Sequence, residues 1–350
     1  MKKILTIVWT RPELIRLSEI IKVLDLHTNQ IFVHTWQNFT PELHDQFFSE
    51  LELREPDIQL NKKGLTWFQF IWNMYEEIDK IIDKEKPEAI LILWDTNSCL
   101  SSYVAKRKKI PVFHMEAGNR CYDENVPEET NRRIIDSLSE YLLPYTQRSR
   151  ENLLAEWYHP SKIIVTWNPI TEVISKYSNS LWEKKEKGDY ILVTLHREEN
   201  VTHKENLENI VSALNEISKT NKVILSVHPK LEEMIKKFNI KFEKNIVLNK
   251  PFWFKKFLNL EKYAKCVLSD SWTVPEECNI LKTPCVLLRT STERPELLEN
   301  NSMILSWISK KEILNSYKVA INTSIWDIPN DYKNKNVSEK ILKIILRHII

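Results

Sequence analysis

Glycine is nearly absent from this chain, with three residues in 350 against a usual share of about 7%. A chain so poor in glycine forms left-handed turns, or brings backbone N–H groups close to an anion, only at a cost. Cysteine is scarce too: five residues and no CxxC pair, which argues against a disulfide scaffold or a thiolate zinc centre. An excess of either charge is also missing, since 50 basic side chains face 48 acidic ones, so composition gives no polyanion-binding face and nucleic acid is not an expected partner. Neither GxGxxG nor GxxxxGK[ST] occurs, even with tryptophans read as glycine, so a nucleotide is not expected to be held as in NAD enzymes or P-loop ATPases. The amino-terminal MKKILTIVW is too short to span a membrane and passes into TRPE rather than a cleavage site, so it reads as a first strand of a cytoplasmic protein with no membrane association.

Tryptophan is over-supplied, with 12 residues. Trp9, Trp36, Trp94, Trp167 and Trp272 each close an apolar run, where a turn is needed and a bulky indole does not belong. Scarce glycine and misplaced tryptophan have one common explanation. A gene whose UGA codons mean glycine, translated as though they meant tryptophan, produces both.

The order of the chain is that of an α/β protein with two domains, the number expected at this length. Short apolar runs such as KILTIV, QIFVHT, EAILILW and VFHM alternate with amphipathic segments such as RPELIRLSEIIKVLD, the pattern of parallel strands and crossover helices. KIIVTW reads as a further strand, and Glu50 to Lys63 as irregular. The aromatic stripe of LTWFQFIWNMY reads as packing. Asp95 stands at the carboxyl end of its strand, where an isolated carboxylate needs a partner or a ligand. Arg11 and Arg16 open the first crossover, though surface positions on an amphipathic helix would also account for them. The loop after VFHM carries His114, Glu116, Gly118 and Arg120, and Pro127 then starts a helix whose first turn holds Glu128 and Glu129. Those two acids fit a helix dipole as readily as acid–base catalysis.

A polar, lysine-rich stretch to residue 187 separates domain 1–170 from domain 188–337, with the amphipathic segment 338–350 docking back on the first. In the second domain, His196 and His228 each follow an apolar run, and no third ligand is spaced with them for a metal. Ser269 to Glu296 is the densest stretch of chemistry, with Ser271, Glu277 and Arg294 among prolines and two short apolar runs. Such a loop, receiving an anion, wants glycine at position 272. Polar strand ends in both domains point to a cleft between them that suits phosphate.

The motifs WTRPE, WDTNS, HMEAGNR, VPEETNRRI, VTWNP, LHREEN, DSWTVPEE and TERPE, in this order across essentially the whole chain, resemble those of the non-hydrolysing UDP-N-acetylglucosamine 2-epimerases. The resemblance implies glycine at the five tryptophans above and at Trp72, Trp157, Trp253 and Trp307, with Trp326 a true tryptophan. It implies two doubly wound Rossmann-like domains in a glycosyltransferase-B-like architecture (the UDP-glycosyltransferase and glycogen phosphorylase type), a homodimer, and a UDP-sugar in the cleft. It implies no metal, NAD or other cofactor, and a place in cell-surface polysaccharide biosynthesis.

Carried over motif by motif, Asp95, Glu116 and Glu128 surround the sugar, with proton transfer assigned first to Asp95 and Glu116. His196 is a further catalytic or diphosphate-side residue, while Arg11, Arg16, His228, Ser271, Glu277 and Arg294 bind UDP and sugar. Arg16 stands where lysine is common in the family. HMEAGNRC and DTNSC lean toward relatives that act on other UDP-2-acetamido sugars, including those that make UDP-N-acetyl-L-fucosamine or epimerise a diacetamido uronic acid. A glycosyltransferase of the same double fold and an inactive UDP-sugar-binding protein are the alternative readings.

Overall fold

The structure, a computed structural model, describes residues 1–35, 47–60, 66–124, 126–181, 188–323 and 325–349. The expected loop at Trp36-Gln37-Asn38 and most of the lysine-rich connection lie outside the described residues. The chain divides into two compact units, Met1–Ser175 with Asn330–Ile350, and Lys176–Pro329. The return to the first unit comes at Asn330 and therefore takes in residues 330–337, which the sequence places in the second domain.

The first unit is built on a six-stranded sheet of β1 (Lys3–Val8), β2 (Asn29–His34), β3 (Ile58–Gln59), β4 (Ala89–Leu93), β5 (Val112–Met115) and β6 (Tyr141–Leu143). Its order is β3-β2-β1-β4-β5-β6, and its ladders are parallel. Apolar residues fill β4 completely because helices cover both faces of such a sheet. The helix Arg11–His27 opens with a capping box, in which Thr10 accepts from the Glu13 N–H and the Glu13 carboxylate accepts from the Thr10 N–H. The carboxyl-terminal helix Val337–His348 packs on Arg11–His27 through a face that includes Ile341, Leu342 and Ile345.

Three expectations are corrected here. The two-residue β3 lies within the stretch expected to be irregular. KIIVTW pairs beside β6 through the bridge Leu142 to Ile163 and the bonds from the Ile164 N–H to the Leu142 carbonyl and the Thr166 N–H to the Pro144 carbonyl, which is too short a pairing to make a full strand. The aromatic stripe is divided: Trp67, Phe68 and Trp72 are exposed, while Phe70 and Tyr75 pack against the core beside Met74, Ile78, Ile81 and Ile82 of their helix, Trp67–Glu85.

The second unit repeats the plan with β7 (Tyr190–Leu195), β8 (Lys222–Val227), β9 (Ile246–Asn249), β10 (Cys266–Ser269), β11 (Cys285–Leu288) and β12 (Met303–Ser306). The order β12-β11-β10-β7-β8-β9 is again parallel. In each unit the strand order reverses once, between β1 and β4 and between β7 and β10. That reversal splays the following loops to opposite faces and leaves a crevice at the carboxyl ends of the strands, where doubly wound sheets take ligands.

Candidate functional site

In the first unit the loops after β1, β4 and β5 carry a buried network of charge. Asp95, two residues beyond β4, accepts from Arg132 Nε at 3.0 Å. The same guanidinium reaches Glu129 Oε2 at 3.0 Å, and all three residues are nearly buried. Glu129 is therefore held by partners: burial pushes its carboxyl up, but the Cys121 N–H and Arg132 outweigh this and keep it below the usual range. Its neighbour Glu128 is half-buried, so the two acids of this helix start have separate environments.

Glu116 lies directly after β5 with φ of 68°, in the left-handed region that a glutamate occupies only under constraint. Its N–H donates to the Leu143 carbonyl at 3.0 Å, which fixes the turn, and its side chain is almost buried. Gly118 follows with φ of 75°, and a Cβ there would lie 2.2 Å from the Ser149 carbonyl oxygen. Here glycine is required both by conformation and by space.

Beneath these loops, Asp136 joins His114 Nδ1 at 2.8 Å, accepts from the Gly118 N–H at 3.1 Å and accepts from Arg120 at 2.8 Å. Burial raises the Asp136 carboxyl, while His114 and Arg120 pull it further down, so the net shift is downward. His114 Nε2 meets the Trp94 carbonyl at 2.8 Å. The histidine thus ties the loop after β4 to the helix Pro127–Leu138 and serves the site from below.

Arg16 is buried with its guanidinium 5.2 Å from the Trp94 ring, which excludes the surface reading of this residue. Arg11 is half-buried, and burial lowers its guanidinium pKa from the usual range. Glu13, which the sequence reading passed over, is fully buried and accepts from the Trp9 N–H at 2.6 Å. Burial pushes its carboxyl up to about 7, against the opposing hydrogen bonds from Thr96, Trp9 and Thr10. Its sequence signal was the T-x-x-E capping box.

The second unit gathers its polar groups at the corresponding reversal. Asp270, following β10, is fully buried and accepts from the backbone N–H of His196 at 3.0 Å and of Arg197 at 3.0 Å, and from Asn200 Nδ2 at 3.2 Å. Its carboxylate also lies 3.3 Å from His196 Nδ1. One carboxylate therefore fixes the turn after β7 and orients an exposed imidazole.

Ser271 Oγ stands 3.2 Å from Thr273 Oγ1, just before the helix Val274–Leu281. Glu277 is buried on that helix, and Glu276, one residue earlier, is ion-paired with Arg294. Arg289 and Glu293 form a second buried pair at 2.9 Å. Trp272 stands between guanidinium groups, with Arg197 4.0 Å and Arg289 5.6 Å from its ring. Position 272 is not among the left-handed residues, so its sequence argument for glycine survives on space alone. His228 is exposed ahead of the helix Pro229–Phe238.

The structure thus places Asp95, Glu116, Arg11 and Arg16 on the strand-end side of the first sheet, and His196, Ser271, Glu277 and Arg294 on the strand-end side of the second. Glu128 stands in the first turn of the helix Pro127–Leu138, and His228 precedes the helix Pro229–Phe238. Among the described residues no cluster of three or more His, Cys, Asp or Glu has metal-binding geometry, and no helix is long and apolar enough to cross a membrane.

The chain as a whole has close counterparts. The chain is 37% identical to the UDP-N-acetylglucosamine 2-epimerase of Methanocaldococcus jannaschii over 98% of both chains. The crystal structure of that enzyme with UDP-GlcNAc and UDP superposes with a TM-score of 0.89, covering 99% of each chain at 36% identity. The chain is 31% identical, over 99% of both, to the UDP-2,3-diacetamido-2,3-dideoxy-D-glucuronate 2-epimerase of Pseudomonas aeruginosa. At the level of fold alone it matches the glycotransferase of kitacinnamycin, with a TM-score of 0.66 at 9% identity, in keeping with a glycosyltransferase-B-like class of two Rossmann-like units. A family model described as UDP-N-acetylglucosamine 2-epimerase matches residues 24–346, and the chain belongs to that family of isomerases.

Proposed function

We propose that this chain epimerises C2 of a UDP-2-acetamido sugar, UDP-N-acetylglucosamine first among them, without net hydrolysis. The observation that carries the reading is the placement of Asp95 and Glu116 at the ends of the adjacent strands β4 and β5, beside the strand-order reversal of the first sheet. An epimerisation at C2 needs a base on one face of the carbon and an acid on the other.

In the proposed reaction a carboxylate removes the C2 proton and the C1–O bond to UDP breaks. This leaves 2-acetamidoglucal and UDP. The second acid then protonates C2 from the opposite face and UDP adds back to C1. Asp95 and Glu116 take the two proton transfers, and Glu128 is the third carboxylate assigned to the sugar.

His196, His228, Ser271, Glu277 and Arg294 of the second unit are assigned to UDP, and in the first unit Arg11 and Arg16 are assigned by charge to UDP and sugar. The helix start after Ser271 supplies N–H groups for phosphate, the arginines supply charge, and Glu277 accepts from ribose hydroxyls. No metal or NAD takes part. The protein works in the cytoplasm as a homodimer and supplies a sugar nucleotide for surface polysaccharide.

The test is incubation with UDP-N-acetylglucosamine in deuterated water, followed by NMR. Deuterium at C2 of both epimers, with UDP still attached, is expected, and Asp95→Asn or Glu116→Gln should stop the exchange. Absence of C2 exchange would exclude epimerisation, and free N-acetylmannosamine with stoichiometric UDP would exclude the non-hydrolysing course. The similarity to the diacetamido uronate epimerase calls for that sugar class in the same panel.

A further inference from the structure

We propose that positions 94, 157 and 167 are glycine in the protein its own cells make, encoded by UGA, and that Trp326 is a true tryptophan encoded by UGG. UGA is a stop in the standard code, tryptophan in one variant code and glycine in another, so a single misreading of the gene converts each such glycine into a written tryptophan. The sequence raises this through composition. The backbone now distinguishes individual positions.

Trp94, Trp157 and Trp167 have φ of 75°, 68° and 71°. Among the described residues with positive φ the other non-glycines are Glu, Lys, Asn and one Tyr, and no leucine, isoleucine, valine or phenylalanine is found there. An L-residue in this region places its Cβ against backbone, and glycine does not.

Position 157 is the clearest. The helix Gln147–Ala155 ends at the cap residue Glu156. The N–H of residue 157 then donates to the Leu154 carbonyl at 3.1 Å, and the Tyr158 N–H donates to the Leu153 carbonyl at 3.1 Å. These are the two hydrogen bonds of a Schellman motif, and residue 157 holds the left-handed position at which helices most often place glycine. The indole is 94% exposed, so burial gives nothing back for the strain.

Position 94 is constrained from outside the residue. Its N–H donates to the Met115 carbonyl at 3.2 Å and its carbonyl meets His114 Nε2 at 2.8 Å. The sheet sets this conformation, and the indole is carried along into the interior, where its N–H has no hydrogen-bond partner. An unpaired buried donor calls for an explanation, and an indole standing where glycine belongs supplies one. At 167 the ring lies 3.2 Å from Lys340 Nζ, and burial lowers the pKa of that ammonium.

Trp326 is the internal control. It is buried, and its indole N–H donates to the Asn279 carbonyl at 3.3 Å. Its φ is not left-handed. Here the indole has a site and uses it.

The experiment is peptide mass spectrometry of the protein purified from its source cells. Peptides spanning 94, 157 and 167 should each be lighter by C9H7N than the written sequence, and the peptide spanning 326 should match it. Tryptophan at any of the three, or glycine at 326, overturns the proposal, whether or not the protein is an epimerase. Recombinant chains give a second readout. The triple glycine replacement should melt several degrees above the written chain, roughly the shift that relief of three strained residues brings, and the triple alanine replacement should gain less, because alanine keeps the left-handed strain. Equal melting of the glycine and alanine triples would remove the backbone argument.

Discussion

Glu13 offers the most quantitative check on the electrostatics of the first rim. It is fully buried, it accepts from the N–H groups of Trp9 at 2.6 Å and Thr10 at 3.3 Å, and burial pushes its carboxyl up to about 7 from 4.5. The folded chain therefore binds a proton here that the unfolded chain has already released between those two pH values. Stability must fall as pH rises through that window, because the charged form is disfavoured only when folded. Over the interval between pH 4.5 and about 7, at about 1.36 kcal/mol per pH unit, the loss amounts to about 3 kcal/mol.

Glu13→Gln removes the ionisation and keeps an oxygen able to accept from the loop. The variant should match the parent near pH 4.5 and exceed it by about 3 kcal/mol above pH 7. Urea unfolding of the first unit, followed from pH 4 to 8 for both chains, measures the difference directly, and a carbon-13 titration of the Glu13 carboxyl gives its midpoint. Parallel stability profiles, or a midpoint near 4.5, would refute the reasoning.

Two further outcomes follow from the buried networks. Arg132→Met leaves Asp95 and Glu129 buried without their shared cation, so the first unit should lose about 3–5 kcal/mol in chemical denaturation; a loss below about 1 kcal/mol would mean the pairs behave as surface ones. Asp270→Ala removes the acceptor for His196, Arg197 and Asn200, and should cost the second unit about 3 kcal/mol. Amide hydrogen exchange at 196 and 197 should accelerate in that variant, and unchanged protection would show that the turn is held by something else.

Most of the strand layout is legible because parallel strands covered on both faces read as uninterrupted apolar runs. EAILILWD therefore delivers both β4 and the placement of Asp95. The failures have physical causes. β3 is too short to carry a period, and KIIVTW has strand propensity but pairs with the end of β6 over only a few residues. Of the aromatic residues around Trp67, Phe70 and Tyr75 pack on the core while Trp67, Phe68 and Trp72 do not, since hydrophobic character alone does not place a side chain inside. Glu13 was missed because its T-x-x-E pattern marks helix starts in general, and only its burial makes it unusual.

By itself the sequence determined the fold class, the two-unit plan and the family motifs, since these rest on local periodicity and on the order of residues at strand ends. Its counts of three glycines and 12 tryptophans also raised the proposed exchange between the two. Tertiary structure decided which charges pair. Asp270 reaches His196 across 74 residues and Arg132 reaches Asp95 across 37, distances over which chain order carries no record of contact. It also decided which tryptophans sit on left-handed backbone, because φ at 94 follows from hydrogen bonds to its sheet neighbours, and those exist only once the sheet has formed.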